Sequence, residues 1–212
     1  MKHAFVVAIV GAESTGKTTL AADLRDALVA EGRTVAIVAE HLREWCDQFQ
    51  RTPLASEQAQ IADEQTRRIE AAAQRHEFVI ADTTALMTAV YSEIVFGDSS
   101  LYAQAAQAHR RCDLSLLTAL DLPWLADGLQ RTGEHVREPV DALVRAALQR
   151  ARLPYAVVTG SGPQRVASAL QALRHALQAP SAEDEAAANP RWRWVCERCG
   201  DPDCERHLLP PG

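Results

Sequence analysis

The sequence predicts a three-layer α/β fold, in which a mostly parallel sheet of five strands lies between two layers of helices. Short apolar runs of strand length alternate with longer segments that repeat apolar residues at helical spacing. Such alternation is typical of βαβ units, whose helices cover both faces of a parallel sheet. The 212 residues, 47% of them hydrophobic, are enough for one such domain with a short tail.

A phosphate-binding motif follows the first predicted strand, residues 4–10. Residues 11–18 read Gly-Ala-Glu-Ser-Thr-Gly-Lys-Thr and fit the P-loop pattern G-x-x-x-x-G-K-[ST]. Its glycines let the backbone point N–H groups at phosphate oxygens, and the helix beginning near Lys17 adds its positive end. Lys17 would neutralise charge on the β- and γ-phosphates, and the Thr18 hydroxyl would hold Mg²⁺. The predicted ATP-binding residues are Gly11, Glu13, Ser14, Thr15, Gly16, Lys17, Thr18 and Thr19.

The other elements follow in alternation along the chain. Four further strands are predicted at residues 34–39, 78–81, 114–117 and 155–158. After the P-loop helix, which should end near Gly32, helices are predicted at residues 56–74, 84–96, 139–152 and 164–177. Ser56 is the expected cap of the helix at residues 56–74, and Pro139 is expected at the first position of the helix at residues 139–152. The polar segment 121–138 should form a mobile loop.

Asp82 closes the third strand after four apolar residues, which is the Walker B arrangement. Ligands of open α/β sheets bind beyond the carboxyl ends of the strands. A carboxylate at this place would hold Mg²⁺ opposite Thr18. The alternative is an ordinary N-cap for the following helix, and the P-loop favours the metal role.

Charged residues also follow the second and fourth strands. Glu40 would accept a proton from an attacking hydroxyl, and Arg43, one helical turn on, would bind substrate or phosphate. Position alone leaves a second interpretation open, in which Glu40 is simply an acidic residue at a helix N-terminus, where such residues are stabilising. Arg131 and Arg137, in the segment after the fourth strand, are candidates for a closing lid that stabilises the transferred phosphoryl group. They could equally be solvated surface arginines.

Several stretches together resemble the NadR-type ribosylnicotinamide kinases, a branch of the P-loop kinases. Besides the P-loop, the resemblance rests on Glu-His-Leu-Arg-Glu at 40–44, Ile-Ala-Asp-Thr at 80–83, Val-Tyr-Ser-Glu at 90–93 with Phe-Gly at 96–97, Pro-Trp at 123–124, and Asp-Gly-Leu at 127–129. It implies the P-loop kinase fold over residues 1–178. It also implies transfer of the γ-phosphate of ATP to the 5′-hydroxyl of nicotinamide riboside, giving nicotinamide mononucleotide for NAD synthesis.

The resemblance also implies roles for individual residues. Lys17 and Thr18 would contact phosphate and Mg²⁺, and Asp82 would contact the metal. Glu40, Arg43 and Asp82 would lie at the substrate, with Glu40 as the general base. The chain departs from the family's usual pattern at Thr84, where a second acidic residue is common, and at Gln130, where an arginine is common. Both departures concern the acceptor or the lid and leave the ATP site intact.

A Cys/His cluster lies in the predicted tail, residues 191–212, beyond a linker at residues 179–190 that has no large apolar residue. Its spacing, C-x-x-C-x4-C-x-x-H, suits a closed tetrahedral Zn²⁺ site that would fold the tail. The alternative is a disordered tail with reactive thiols. We expect the tail to dock on the kinase domain or on a protein partner. The predicted zinc ligands are Cys196, Cys199, Cys204 and His207.

Composition and charge narrow the classes of partner that this chain could bind. A formal net charge of −6 and a pI of about 5.6 argue against a dedicated nucleic-acid binder. No segment approaches the ~20 apolar residues of a membrane helix, and the apolar run after Lys2 is too short for a signal peptide. We therefore expect a cytoplasmic kinase that acts on a small nucleoside. The second hypothesis is a regulatory ATPase whose tail binds a protein or nucleic acid.

Overall fold

The computed structural model of the chain describes residues 4–125 and 134–178. Five strands form one sheet, and every pair of neighbours is parallel. They are β1 (Phe5–Val10), β2 (Val35–Val38), β3 (Phe78–Asp82), β4 (Leu114–Thr118) and β5 (Ala156–Val158). Their order across the sheet is β2-β3-β1-β4-β5. The predicted α/β fold is confirmed, and its sheet is parallel throughout the described residues.

Seven α-helices connect and flank these strands within the described residues. They are α1 (Lys17–Ala30), α2 (His41–Phe49), α3 (Gln58–Ala73), α4 (Ala85–Phe96), α5 (Tyr102–His109), α6 (Arg137–Arg150) and α7 (Gly162–Gln178). Short 3-10 turns at Ala55–Glu57 and Glu134–Val136 lead into α3 and α6. All of these elements lie in the unit Met1–Ala176, except the last two residues of α7.

The register of the sheet places the functional turns together. The strand that carries the P-loop, β1, is central, and its Ile9 lies opposite Asp82 of β3. On the other side Val10 lies opposite Leu117 of β4. Because all strands are parallel, their carboxyl ends meet at one edge of the sheet. The turns after β1, β2, β3 and β4 therefore line a common edge.

Two apolar clusters, one on each face of the sheet, hold the helices in place. On one face Leu20 and Leu24 of α1 and Leu173 of α7 pack on Ile9 and Ile80. On the other face α4 and α6 pack on the central strands through Leu86, Met87, Val90, Val144 and Leu148. Each fully buried side chain of this size contributes about 1.5–3 kcal/mol. Because helices cover both faces of the sheet, β1 and β3 are buried at nearly every position and carry mostly apolar residues.

The helices differ from the predictions at four places. Helix α2 was not among the predicted helices, although Arg43 was expected one helical turn after Glu40. Helix α5 was not predicted, because only Ala105 and His109 of its eight residues are buried and an apolar stripe is missing. Helix α6 begins two residues before Pro139, so residues 134–138 are not part of a loop as predicted. The proline fits there because first-turn N–H groups have no partner within the helix. Ser56 lies in the 3-10 turn, and Glu57 is the N-cap of α3.

None of the helices in residues 4–125 and 134–178 is both long and apolar enough to span a membrane.

A buried polar chain ties α4, α5 and β4 together behind the sheet edge. The Thr84 hydroxyl hydrogen-bonds His109 Nδ1 at 2.9 Å, and His109 Nε2 bonds the Ser115 hydroxyl at 2.8 Å. Thr84 also caps α4 by accepting the N–H of Leu86. Burial lowers the pKa of His109 to about 4, so the imidazole is neutral at pH 7.

We expect this histidine to make the fold acid-sensitive. Its pKa in the folded state is below the unfolded value of about 6.5, so the unfolded chain takes up the proton first as the pH falls. The contribution of His109 to the free energy of unfolding is complete above about pH 6.5 and falls by about 3 kcal/mol as the pH is lowered to about 4. Urea unfolding of the wild type and of His109→Asn across this pH range measures how steeply the free energy of unfolding of each protein depends on pH. The wild type should show the steeper dependence. Parallel pH profiles for the two proteins would contradict the assignment.

Candidate active site

The P-loop leaves β1 through a backbone position that excludes side chains. Gly11 has φ +146°, and a Cβ built on it would lie 2.2 Å from Oγ1 of Thr118 at the end of β4. Gly16, with φ +73°, is the N-cap of α1. A left-handed or otherwise unusual backbone conformation is open to glycine without steric cost. Both glycines of the motif are therefore required by the shape of the loop.

Hydrogen bonds inside the loop fix its curvature. The Thr15 hydroxyl donates to the Ala12 carbonyl at 2.8 Å and lies 2.7 Å from the Thr118 hydroxyl. The Lys17 ammonium donates to the same Ala12 carbonyl at 2.8 Å. Lys17 is buried, which concentrates its charge at the mouth of the loop. The arrangement is a cationic cradle for an anion at the N-terminus of α1.

Asp82 and Thr18 meet where the sequence predicted a metal site. Thr18 Oγ1 donates to Asp82 Oδ2 at 2.6 Å. Asp82 is 3% exposed, and its Oδ1 accepts no hydrogen bond from the described residues. Mg²⁺ is usually held by one or two carboxylates together with phosphate oxygens and water. A buried carboxylate oxygen beside a hydroxyl fits that ion. No cluster of three metal-binding side chains occurs in the described parts of the chain.

Glu40 and Arg43 form an ion pair at the first turn of α2. Arg43 Nη2 donates to Glu40 Oε2 at 3.1 Å, with Glu40 buried and the Arg43 side chain 37% exposed. The buried Gln65 of α3 accepts the His41 N–H at 2.7 Å and donates to the Thr83 carbonyl at 3.2 Å. This one amide therefore joins the turn after β2 to the turn after β3. It holds Glu40 and Asp82 on the same edge.

A groove of about 650 Å³ lies over the P-loop. Arg43 borders it on one side, and Leu122, Pro123 and Leu125, which follow β4, border it on another. The Ser14 hydroxyl accepts the Leu125 N–H at 2.8 Å and so fastens this segment to the loop. The remaining lining residues are Thr15, Gly16, Lys17, Thr18 and Thr19. All the predicted ATP-binding residues from 14 to 19 thus face one cavity.

Glu13 lines a different cavity. A pocket of about 270 Å³ lies between α2, α4 and α6, with Glu13 in its wall and mostly apolar side chains around it. Gln58 at the start of α3 is buried and lines the same pocket. Its Oε1 accepts no hydrogen bond from the described residues. Tyr91 and Phe96 of α4 add aromatic rings to the lining.

Arg137 and Thr84, both named in the sequence analysis, have buried side chains with hydrogen-bond partners. Arg137 is buried, and its Nη2 donates to the Leu122 carbonyl at 2.9 Å, so it supports the segment after β4. Thr84 is buried and belongs to the polar chain that runs to His109. The lid candidate Arg131, the departure at Gln130 and the four zinc ligands lie outside the described residues.

A buried arginine that the sequence analysis did not single out joins three turns at this edge. Arg165 of α7 is 4% exposed and donates to Thr15 of the P-loop, to Gly160 after β5 and to Asp121 after β4. Partial burial opposes ionisation of Asp121, but hydrogen bonds from Arg165 and from the Gly160 N–H outweigh it and lower the pKa of Asp121. The only sequence signal was a charged residue just after the turn at residues 159–163.

Comparison with known proteins agrees with this architecture. The AAA domain family matches residues 6–165, most of the chain. No curated protein matches this chain by sequence.

Three solved structures share the fold at low sequence identity. A NadR protein in complex with NAD and AMP-PNP has a TM-score of 0.66 at 18% identity, covering 84% of this chain and 51% of its own. A NadR protein in complex with NR has a TM-score of 0.69 at 20% identity, covering 84% and 52%. A deoxyadenosine kinase from M. mycoides, with dCMP and dCDP bound, has a TM-score of 0.56 at 14% identity, covering 81% and 100%. The chain spans about half the length of the NadR chains.

We expect Gly11→Ala to destabilise the fold and weaken ATP binding, because the new Cβ would overlap Thr118 Oγ1, which is held by hydrogen bonds. The free energy of unfolding should fall by about 2–3 kcal/mol. Gly32→Ala is the matched control, since Gly32 also has positive φ but nothing within 4 Å of the added Cβ; we expect a cost of about 1–2 kcal/mol there. Urea unfolding and ATP titration measure both effects. Equal losses, with ATP affinity retained in Gly11→Ala, would be the contrary result.

Proposed function

The chain belongs to the AAA domain family, and we propose that it is an ATP-dependent nucleoside kinase whose acceptor is nicotinamide riboside. The observation that carries this proposal is the buried Glu40 carboxylate, paired with Arg43 at the border of the P-loop groove. A carboxylate can orient water in a hydrolase or take the proton of an acceptor hydroxyl in a kinase, but only the kinase also needs a pocket for the acceptor. Glu40 is the N-cap of α2, and Leu42 and Cys46 of that helix line the second cavity.

The proposed transfer uses Glu40 as the base. The acceptor 5′-oxygen forms a bond to the γ-phosphorus while the bond from that phosphorus to the bridging oxygen of ADP breaks. The hydroxyl proton passes to Glu40. Phosphoryl transfer depends mainly on positioning and on neutralising charge, which Lys17, the N–H groups of the P-loop and the half-exposed Arg43 supply. Mg²⁺, held by Thr18 and Asp82, would neutralise phosphate charge.

The pocket that contains Glu13 and Gln58 is our proposed site for the base of the nucleoside. Its volume of about 270 Å³ and its apolar, aromatic lining suit one planar ring. The Glu13 carboxylate favours a positively charged ring, and the buried Gln58 amide has an acceptor available for a carboxamide N–H. Nicotinamide riboside has both features. The NadR structure with NR bound supports this choice.

Phosphate transfer from labelled ATP to a panel of nucleosides tests the function. We expect labelled nicotinamide mononucleotide as the main product. Glu40→Gln should lower kcat by about 10²- to 10⁴-fold, as loss of a general base does, with ATP affinity unchanged. The matched control is Glu44→Gln, one turn further along α2, where the carboxylate is exposed and pairs with Arg68.

The other outcomes separate the alternatives. Transfer to a different nucleoside would keep the mechanism and refute the acceptor. ATP hydrolysis with no labelled acceptor would refute the kinase and favour a regulatory ATPase. A Glu40→Gln enzyme as active as Glu44→Gln would refute the role of Glu40.

We also propose that the tail binds one structural Zn²⁺ through Cys196, Cys199, Cys204 and His207. The donor set of three thiolates and one imidazole is a common closed zinc site. Metal analysis of the purified chain should find one zinc per chain, and Cys199→Ser should lose it. Cys112→Ser, between α5 and β4, is the control and should retain it. A wild-type chain that takes up no zinc, even from zinc-containing buffer, would refute the site.

A further inference from the structure

We propose that Arg165 is a positioning residue that presets the Gly16 N–H for the phosphates of the nucleotide. The inference rests on the proposed nucleotide site and goes beyond it, since Arg165 is remote in sequence from the P-loop. It touches no substrate in this scheme and acts through the backbone of the loop.

The guanidinium of Arg165 spans three turns. Its Nη2 donates to the Thr15 carbonyl at 2.8 Å and to the Ala119 carbonyl at 3.4 Å. Its Nη1 donates to the Gly160 carbonyl at 2.7 Å and to Asp121 Oδ1 at 2.8 Å. Arginine presents its donors in a rigid planar fork, so these bonds fix the turns relative to one another.

The bond to Thr15 determines where an N–H group of the loop points. The Thr15 carbonyl and the Gly16 N–H belong to one trans planar peptide, so they point in opposite directions. Arg165 holds the carbonyl toward α7, and this directs the Gly16 N–H away from α7. An N–H that is already oriented binds an anion without paying for reorganisation at the moment of binding.

The charge of Arg165 is balanced locally and does not depend on a bound anion. Asp121 lies 2.8 Å from the guanidinium and also accepts the Gly160 N–H at 2.6 Å. This closes a ring of hydrogen bonds between the turns after β4 and β5 and the first turns of α7. A buried guanidinium without such a partner would be strongly destabilising, so the pair keeps the support in place before ATP arrives.

A purely structural role and a positioning role make different predictions. Loss of structural support would weaken every ligand of the groove alike. Loss of a preset N–H would weaken ligands only through their phosphates. ADP and adenosine share the base and ribose, so the ratio of their dissociation constants isolates the phosphate contribution.

Calorimetric titration of Arg165→Met and Arg165→Lys with ADP and with adenosine tests the inference. In Arg165→Met we expect the dissociation constant of ADP to rise about tenfold, the loss typical of one hydrogen bond to a charged group, with adenosine unchanged. Lysine keeps the charge but lacks the planar fork of donors. The preference of Arg165→Lys for ADP over adenosine should therefore lie between that of Arg165→Met and that of the wild type. Arg174→Met is the control on the same helix, because Arg174 is 65% exposed and lies 3.7 Å from Glu31.

Each result decides a separate point. If ADP and adenosine weaken equally in Arg165→Met, the inference is overturned and the kinase proposal stands. If Arg165→Met does not fold, the same ratio in Arg165→Lys decides: a wild-type ratio overturns the inference, and a lowered preference for ADP supports it. A wild-type chain that does not bind ADP would overturn both the nucleotide site and the inference.

Discussion

The contact between Gly11 and Thr118 is the constraint on which the rest of the site depends. The P-loop must turn at the end of β1, where β3 lies on one side and β4 on the other. Only a residue without a Cβ lets the loop pass the Thr118 hydroxyl. The loop then returns to the sheet through Thr15, whose hydroxyl meets that of Thr118. The anion cradle is thus built against the sheet and not merely attached to it.

Buried polar side chains from peripheral helices hold the separate turns in position. Gln65 reaches from α3 to the turns after β2 and β3, and Arg165 reaches from α7 to those after β1, β4 and β5. Both side chains bond mainly to backbone groups. Buried backbone groups must find hydrogen-bond partners, and these two residues supply them while fixing the geometry. Exposed ion pairs such as that of Arg67 with Glu64 contribute far less.

The sequence predicted what is local and missed what is remote. The P-loop directly follows β1 and Asp82 ends β3, so their meeting through Thr18 follows from the parallel pairing of these two strands. The roles of Gln65 and Arg165 depend on backbone carbonyls that are distant in sequence, and no local pattern reveals such partners. The same applies to Arg137: its polar surroundings indicated a loop, whereas its side chain is buried against the Leu122 carbonyl.

The position of Glu13 has a consequence for how proteins of this architecture diverge. Its side chain lines the pocket between α2, α4 and α6, while the residues immediately after it line the groove over the P-loop. The backbone that carries Glu13 and Ser14 therefore borders both cavities. A substitution there disturbs both cavities, whereas a change at Gln58, which lines only the pocket that contains Glu13, disturbs only one. In the proposed kinase, acceptor preference should change by replacement on α3 and α4, while the residues that border both cavities stay unchanged.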